Sequence, residues 1–413
     1  MLSASRHTTI ARNERCPVLD VALATLTVLM IPACEAVQTG TIDYSNLIVL
    51  ETDHRLVCYD MRTGRAVNGV HAVPTARGRF ASGLCPAVDP RSLKVGYIDT
   101  MGKWVIPAQF DDGENFSESR ATVRLGSQSG IIDTVGRWVV RPGLYEFIGS
   151  FSEGLCYVDA NHVGSFIDPE GSVACAGRWS AIAFDSTGRP DILMFREGMC
   201  AVLDNGSQDW IYVNRHGKAC FSPVVSHLAG CPPGGLLGGE HFDLLRVADG
   251  LVAFLEVSVG PGDTMIRRYG FMSSKGDIVI APKFADVNRF SGGIASCAVN
   301  DPNRPAHQPW GHEAPKDASR LSWGAIDADG RTIVPFKYEY ISSLEDGLAS
   351  FCIDDKWGYM DQSGEEVISA RFVSAWPFYN GVAIVVLQGD TRYSVIDKSG
   401  RVVIRTEVEA FGF

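Results

Sequence analysis

The sequence lacks a surplus of positive charge. Its 413 residues contain 37 Lys and Arg against 48 Asp and Glu, which gives a formal net charge of −11. A protein that binds the phosphate backbone of a nucleic acid does so through clustered basic side chains that release counterions. The composition therefore argues against a nucleic-acid partner, and it is compatible with a basic protein partner.

The sequence also lacks the motifs of common enzyme classes. It contains no G-x-S-x-G elbow, no H-E-x-x-H, no P-loop and no dinucleotide fingerprint. Its nine His residues are scattered along the chain. Catalytic groups can still be assembled in space, so an enzyme is disfavoured rather than excluded. We predict a non-catalytic protein that needs no cofactor.

Pairs of the form C-x-x-C, which are typical of zinc modules, are absent as well. Two thiols and two imidazoles nevertheless occur close together in the sequence, at Cys220, His227, Cys231 and His241. These are zinc-type ligands, but their spacing matches no common module. They are weak candidates for a metal site, and an enzyme that uses them is the least favoured alternative.

No N-terminal apolar run is long enough to span a bilayer. The run 21–31 is preceded by basic residues and followed by Cys34, an arrangement that resembles a bacterial lipoprotein signal. Asp20 and Pro32 argue against such a signal. The eleven cysteines are an odd number and suit a reducing compartment. A cytoplasmic location is favoured; the alternative is a cell-envelope lipoprotein, with the membrane as partner only if Cys34 is lipidated.

Three of the cysteines, Cys85, Cys156 and Cys200, each stand two residues after a glycine. Later equivalents of this place are Val252, Ala295, Ala349 and Ala383. Because cysteine alternates here with alanine and valine, we predict that these thiols are small buried hydrophobic groups rather than disulfide or catalytic groups.

A short phrase recurs along the chain: an aromatic residue and glycine, two apolar residues, aspartate, two variable residues and a second glycine. Its best copies are 357–364 and 323–330, with related copies at 95–102 and 269–276. Such periodicity predicts a repeat architecture in which each unit is one supersecondary element.

Each unit has the pattern of a β-hairpin followed by a third strand. In the unit 95–123, a strand over 96–99 turns at Gly102 into a return strand that ends before Pro107. After a polar linker, a third strand is predicted at 121–123. The same plan recurs in the units 129–158, 269–297, 323–351 and 357–386, and a last hairpin covers 393–403.

The turn glycines of these units supply the positive φ that closes a tight hairpin. Their spacing gives a base period of 34–36 residues, with longer intervals at insertions, chiefly 222–245 and 300–320. The predicted turn glycines are Gly102, Gly136, Gly171, Gly217, Gly276, Gly330, Gly364 and Gly400, preceded by a weaker unit that turns at Gly64.

This pattern resembles the WG-repeat family, a bacterial repeat of the form W-G-[YF]-I-D-x-x-G-x-x-[VI]-I-x-P-x-[FY] followed by F-x-x-G-L-A. The resemblance covers about residues 56–405, and only Trp323-Gly324 and Trp357-Gly358 keep the dipeptide that names the family. Such arrays resemble non-catalytic β modules, often of unknown ligand. The resemblance therefore implies a non-catalytic module here.

The predicted fold class is all-β: tandem antiparallel hairpins stacked as a solenoid-like array over residues 46–405, with a closed propeller-like ring as the alternative. In a closed ring, we expect the segment 46–50 or 56–60 to pair with the last hairpin. The segment 1–45 precedes the array as a signal-like or disordered segment, and 406–413 is a C-terminal tail.

The predicted function is a protein-binding or scaffolding module, so the expected partner is another protein. An envelope lipoprotein that binds glycan or peptide is the alternative. The candidate contact residues are Trp310, as an exposed anchor in the 300–320 insertion, and Trp323 and Trp357, as part of an aromatic row. For Trp323 and Trp357, packing inside the sheets is the favoured interpretation, and the aromatic row is the alternative.

Overall fold

A computed structural model describes most of the chain from residue 47 to residue 409. The described residues are 47–52, 55–60, 65–67, 72–75, 78–161, 163–180, 194–207, 210–226, 247–261, 265–303, 320–379 and 381–409. These residues form strands and no α-helix, so the all-β prediction is confirmed. Among them there is no helix with the length and hydrophobicity that crossing a lipid bilayer requires.

Strands follow one another throughout the described residues. In chain order they are β1 (Leu47–Thr52), β2 (Arg55–Asp60), β3 (Arg65–Ala66), β4 (Val73–Pro74), β5 (Cys85–Val88), β6 (Val95–Ile98), β7 (Trp104–Phe110), β8 (Asp112–Gly113), β9 (Arg120–Leu125), β10 (Gln128–Asp133), β11 (Trp138–Val140), β12 (Phe147–Ile148), β13 (Cys156–Ala160), β14 (Val163–Ile167), β15 (Val173–Ser180), β16 (Met199–Asp204), β17 (Trp210–Asn214), β18 (Ala219–Phe221), β19 (Val224–Ser226), β20 (Leu251–Val259), β21 (Met265–Ser273), β22 (Ile278–Phe284), β23 (Asp286–Val287), β24 (Ile294–Asn300), β25 (Leu321–Asp327), β26 (Thr332–Tyr338), β27 (Tyr340–Ile341), β28 (Ala349–Ile353), β29 (Lys356–Met360), β30 (Glu366–Ala375), β31 (Val382–Leu387), β32 (Arg392–Asp397) and β33 (Val402–Glu409).

The strands form a series of meanders, because strands that are neighbours in sequence are also neighbours in each sheet. The first sheet contains β1–β3, and four sheets contain four strands each: β4–β7, β8–β11, β19–β22 and β23–β26. Two larger sheets, β12–β18 and β27–β33, contain seven strands each. Between the described strands the pairings are antiparallel, except that β19 pairs with β20 in parallel.

The third strand of a predicted unit pairs with the next hairpin, not with the preceding one. For example, β9 pairs along its length with β10, and the two-residue strand β8 covers its other edge. The units 95–123, 129–158, 269–297 and 323–351 are therefore each divided between two sheets, which corrects the predicted grouping. The physical reason is the connection: two residues join β9 to β10, so these strands must form a hairpin.

The turn glycines join neighbouring sheets. All eight predicted turn glycines, from Gly102 to Gly400, have positive φ between 71° and 87°, where a residue without Cβ is unstrained. Some of these glycines also lie against the preceding sheet. A Cβ added at Gly136 would lie 3.2 Å from Ile106, and one added at Gly330 would lie 3.5 Å from Ile280.

The recurring aspartate is a turn residue. In the hairpin that turns at Gly364, one carboxylate oxygen of Asp361 accepts hydrogen bonds from the backbone N–H groups of Ser363 and Glu365, at 2.8 and 3.0 Å. The hydroxyl of Ser363 donates to the same oxygen at 2.7 Å. The carboxylate therefore satisfies backbone donors that the tight turn leaves unpaired.

Acidification is expected to destabilise the fold through these turns. The pKa of Asp361 is lowered, mainly by the hydrogen bond from the hydroxyl of Ser363 and further by hydrogen bonds from backbone N–H groups. Burial raises this pKa, but by less than the hydroxyl of Ser363 lowers it. The pKa of Asp397 is lowered in the same way by Ser399 and then by Arg401. A carboxylate whose folded pKa is lowered stabilises the fold above its unfolded pKa of about 3.9. That contribution is lost as pH falls through the folded value. We expect a lower urea midpoint at pH 3 than at pH 7.

The matched variant for this pH effect is Asp361→Asn. Asn214 already occupies the equivalent place in the hairpin at Gly217, where its Oδ1 accepts from His216 N and Lys218 N at 3.0 and 3.1 Å. Asp361→Asn should therefore cost about 1 kcal/mol or less at pH 7 and should lose less stability than the unmodified protein at pH 3. An identical pH dependence in both proteins would contradict this role for Asp361.

The two Trp-Gly tryptophans belong to the core. Only 5% of Trp323 and 1% of Trp357 is exposed. The ring of Tyr340 lies between them, with centroids 5.0 Å from Trp323 and 5.9 Å from Trp357. The favoured interpretation, packing inside the sheets, is confirmed. The alternative, in which these two residues form an exposed aromatic row, is wrong because the sheets bury both indoles. Trp310 lies outside the described residues.

The glycine of the dipeptide faces a bulge in the return strand. Trp323 pairs with Tyr338 and Ala325 pairs with Val334, so residues 335–337 of β26 lie opposite Gly324 alone. A Cβ on Gly324 would lie 2.6 Å from the carbonyl oxygen of Val334. A residue without Cβ is needed here because the neighbouring backbone comes so close.

The prediction that three equivalent cysteines are buried is confirmed. Cys85, Cys156 and Cys200 are all buried. So are Val252, Ala295, Ala349 and Ala383 at the equivalent places. Burial raises the pKa of the Cys85 and Cys156 thiols to about 12, which keeps them protonated and unreactive at neutral pH.

The last sheet of the array contacts a segment near its beginning. The guanidinium carbon of Arg79, which precedes β5, lies 3.9 Å from the ring centroid of Tyr379, which precedes β31. The strand pairing predicted for a closed ring is not seen in the described residues. There β1 pairs with β2, and β32 and β33 pair within their own sheet. Of the two predicted arrangements of the array, this contact supports the propeller-like ring, closed here by side chains.

The boundaries of the array differ from the predicted ones at its C-terminal end. The strand β33 continues to Glu409, which lies opposite Arg392. The predicted boundary at 405 therefore falls inside a strand, and part of the tail 406–413 belongs to the last sheet. The segment 1–45 and most of the insertions 222–245 and 300–320 lie outside the described residues.

Candidate functional site

In the part of the chain that the structure describes, a tight turn precedes each of eight strands, and we call each such turn a corner. Each corner is enclosed by a single bridge, for example between Ser152 and Leu155. The corners, numbered along the chain, are corner 1 (82–83), corner 2 (118–119), corner 3 (153–154), corner 4 (197–198), corner 5 (249–250), corner 6 (292–293), corner 7 (346–347) and corner 8, which ends at Gly381.

The first residue of a corner is held in an unfavourable conformation. In corner 3, φ is 52° at Glu153 and 76° at Gly154, as in a type I′ turn. Glu118 and Glu197 have similar φ values of 49° and 50°. A left-handed conformation costs a residue with a Cβ about 1–2 kcal/mol, and glutamate is not among the residues that usually tolerate it. An interaction outside the turn must therefore offset this cost.

That interaction is a hydrogen bond from corner to corner. One carboxylate oxygen of the first residue accepts a hydrogen bond from the backbone N–H of the second residue in the next corner. The bonds run from Glu118 to Gly154, Glu153 to Gly198, Glu197 to Gly250, Asp249 to Gly293 and Asp346 to Gly381, with lengths of 2.6–2.8 Å. Hydrogen bonds to an ionised acceptor are about twice as strong as neutral ones.

A second row of contacts runs beside these carboxylates. The hydroxyl of Ser117 donates to the carbonyl oxygen of Phe151 at 2.7 Å, and that of Ser152 donates to Phe195 at 2.6 Å. Each serine stands just before a corner, and each phenylalanine just precedes the next one. The corners are therefore fixed relative to one another by two parallel sets of hydrogen bonds.

The hairpin turns also reach corners that precede them in the chain. Lys398, in the turn at Gly400, forms an ion pair with Asp346 of corner 7 at 2.8 Å. This contact lowers the pKa of Asp346, with a further lowering by the N–H of Gly381. Near corner 2, Arg120 Nε donates to the carbonyl oxygen of Pro169 at 2.8 Å. Corners and hairpin turns thus lie on the same face of the ring.

Corners 2 to 6 line one cavity of about 480 Å³. Four successive sheets contribute to its wall, β8–β11, β12–β18, β19–β22 and β23–β26, as expected for the inner surface of a ring. The lining residues are Glu118, Ser152, Glu153, Phe195, Arg196, Glu197, Val247, Ala248, Asp249, Arg289, Phe290, Ser291 and Gly292.

The wall of this cavity is negatively charged. Four carboxylates line it, and Arg196 and Arg289 supply the opposing positive charge. Arg289 also forms an ion pair with Glu345, next to corner 7. Each lining carboxylate uses one oxygen for the next corner, and among the described residues its second oxygen has no hydrogen-bond partner. These second oxygens can accept hydrogen bonds from a cationic ligand.

The structure brings together none of the metal-site candidates within its described part. Cys220 is exposed, and His227, Cys231 and His241 lie outside the described residues. In the described ranges, no three His, Cys, Asp or Glu side chains are grouped closely enough to hold a metal ion. The 220–241 stretch therefore stays a prediction.

Sequence reasoning missed the corner carboxylates. The signal was present as an acidic residue before glycine in the F-x-x-G-L-A phrase, at Glu153, Glu197, Asp249 and Asp346. From the sequence, this phrase predicted only the start of a strand. The hydrogen-bond partner of each acid lies in the next repeat, and the sequence does not show how two repeats are arranged in space.

The sequence matches one family model five times. The family is described as "WG containing repeat", and the matches cover residues 96–127, 130–161, 269–298, 323–357 and 357–389. No curated protein sequence matches the chain significantly.

Several solved structures are distantly similar to the chain. One is the crystal structure of a eukaryotic initiation factor, with 8% sequence identity and a TM-score of 0.48. The match covers 88% of this chain and 96% of the initiation factor chain. The tricorn protease is 11% identical, with coverages of 86% and 42% and a TM-score of 0.37. Apo AztD from Citrobacter koseri is 13% identical, with coverages of 82% and 94% and a TM-score of 0.31. These similarities say nothing about a shared ligand or activity.

Proposed function

Because the chain belongs to the WG-repeat family, we propose that it is a non-catalytic binding module whose corner cavity receives a basic segment of a partner protein. One observation carries the proposal: Glu118, Glu153, Glu197 and Asp249 come from four successive corners and line the same cavity. A Lys or Arg side chain entering this cavity would meet carboxylates from several sheets at once.

The carboxylates are also positioned in advance. Each is held by a hydrogen bond to the next corner, with a donor–acceptor distance of 2.8 Å for these four residues. A ligand that binds them does not have to order these side chains first, which lowers the entropic cost of binding. The net charge of −11 adds a long-range attraction for a basic partner.

The test uses a fluorescein-labelled hexa-arginine peptide as the probe and fluorescence anisotropy as the measurement. We expect the unmodified protein to bind it with an affinity that falls as salt rises. The double variant Glu153→Gln, Glu197→Gln should bind about tenfold more weakly, a loss of about 1.4 kcal/mol. Glutamine keeps an oxygen that can accept the N–H of the next corner, so the fold should be retained.

The matched control is the double variant Glu146→Gln, Glu366→Gln. Both side chains are exposed, neither lines the cavity, and the change in net charge is the same. The control should bind the peptide as the unmodified protein does. Equal weakening in the two double variants would show attraction to overall charge, and no binding to the unmodified protein would contradict the proposal outright.

A further inference from the structure

The chain of corner carboxylates is interrupted at corner 6. The residue that should bond to corner 7 is Gly292, which has no side chain. The backbone N–H of Gly347 in corner 7 has no hydrogen-bond partner among the described residues, whereas the equivalent N–H groups of Gly154, Gly198 and Gly250 each bind a carboxylate. At this junction the backbone N–H that binds a carboxylate at other corners therefore has no carboxylate to bind.

The space that a carboxylate occupies at the other junctions is open here. A Cβ added to Gly292 would meet only Gln362 Oε1, at 3.8 Å. The junction is held by other contacts: the ion pair between Arg289 and Glu345 and the bond from Ser291 Oγ to the carbonyl oxygen of Leu344 at 2.8 Å. These contacts support corners 6 and 7 without filling the place of the missing side chain.

Charge makes this junction the part of the wall most favourable to an anion. At the position where other corners have an acidic residue, corner 6 has Gly292. The negative charge of Glu345 is offset by the positive charge of Arg289. Both Gly292 and Arg289 line the cavity. A ligand carboxylate is repelled beside Glu118, Glu153 or Glu197, but here it would meet an N–H donor and a neighbouring guanidinium.

Corner 1 also lacks a carboxylate, but it does not offer the same site. Ser82 occupies the first position there, and the junction with corner 2 is bridged by a bond from the N–H of Arg79 to Asn115 Oδ1 at 2.7 Å. Neither corner 1 residue lines the cavity. Among the described corners, corner 6 is therefore the one that both lacks the acid and lines the cavity.

We propose that the cavity binds the C-terminus of a peptide that ends in Arg or Lys. The terminal carboxylate accepts the N–H of Gly347 beside Arg289, and the basic side chain lies among Asp249 and the neighbouring corner carboxylates. A C-terminal basic residue supplies both charges within one residue, whereas an acidic segment would be repelled by the rest of the wall. This inference rests on the proposed function and specifies its ligand class.

The experiment compares two fluorescein-labelled peptides, Gly-Ser-Gly-Ser-Gly-Arg with a free C-terminal carboxylate and the same peptide with a C-terminal amide. The amide is more positively charged, so simple attraction to an acidic cavity would favour it. We expect the opposite: the free acid should bind about tenfold more tightly, as expected for one hydrogen bond to a charged group.

Two substitutions at one position locate the effect. Gly292→Glu places a carboxylate where other corners have one, at a φ of 62° that resembles the 49–52° of Glu118, Glu153 and Glu197. This side chain should accept the hydrogen bond from the N–H of Gly347 and so remove the preference for the free-acid peptide. Binding of the amide peptide should not become weaker. Gly292→Ala, which adds no acceptor, should keep the preference.

The two peptides on the unmodified protein decide the matter even if a variant fails to fold. Equal affinity for acid and amide would overturn this inference while leaving the proposed function supported. An acid preference that persists in folded Gly292→Glu would overturn it as well. Binding of neither peptide, nor of hexa-arginine, would overturn both proposals.

Discussion

Replacing Trp357 with alanine is expected to lower the free energy of unfolding by about 3–5 kcal/mol. The indole is 1% exposed, lies opposite Phe372 in the pairing of β29 with β30, and is in ring contact with Tyr340 at 5.9 Å. Alanine would remove most of this buried area and leave a cavity that close-packed sheets cannot fill. Urea unfolding followed by circular dichroism would measure the loss.

The matched control is Trp104→Ala. Trp104 stands on the outer strand β7 and is only half-buried, so its loss should cost less, about 1–2 kcal/mol. The comparison also tests the overturned interpretation of the tryptophans as contact residues. If Trp357→Ala kept full stability and lost binding of the arginine peptide, the indole would be a ligand contact and its assignment to the core would be wrong.

Replacing Gly96 with alanine is expected to cost about 3 kcal/mol or more. A Cβ at this position would lie 2.5 Å from the carbonyl oxygen of Ile106, 2.6 Å from the N of Ala108 and 2.8 Å from its Cα. All three atoms belong to the backbone of β7. The strand is held on both sides of the bulge by its pairing with β6, so it cannot move away without losing ladder hydrogen bonds.

Gly389→Ala is the control for Gly96→Ala. Gly389 has a φ of 77°, and a Cβ there would meet no atom within 4 Å, so this variant isolates the cost of the left-handed conformation, about 1–2 kcal/mol. The urea midpoints of the two variants would be compared with that of the unmodified protein. A loss for Gly96→Ala no larger than for Gly389→Ala would contradict the role of close backbone approach.

Most of the strands could be predicted because their causes are local. The turn at Gly330 and the aromatic and β-branched residues around it specify a hairpin within about a dozen residues. The need for glycine after tryptophan also follows from one hairpin, since the bulge opposite Gly324 lies in the same hairpin. The grouping of strands into sheets was missed because the repeat pattern assigned each third strand to the preceding hairpin, whereas the two-residue connection pairs β9 with the following strand β10.

The corner site could not be predicted in the same way. Glu153 has no evident role until Gly198, in the next corner, is placed beside it. Gly292 stands out only because the neighbouring corners carry acids. For Trp323 and Trp357 the sequence favoured burial but kept an exposed row as the alternative, because an aromatic residue on a strand faces either solvent or another sheet and the alternation of residues does not say which.

The amino-acid sequence by itself determined a run of antiparallel hairpins, because turn chemistry and strand preference act between residues that are close along the chain. Only the tertiary structure decided that this run bends until Arg79 meets Tyr379 and that five corners share one cavity. The curvature is the sum of small rotations between sheets, each set by side-chain packing across an interface, and no single repeat contains it.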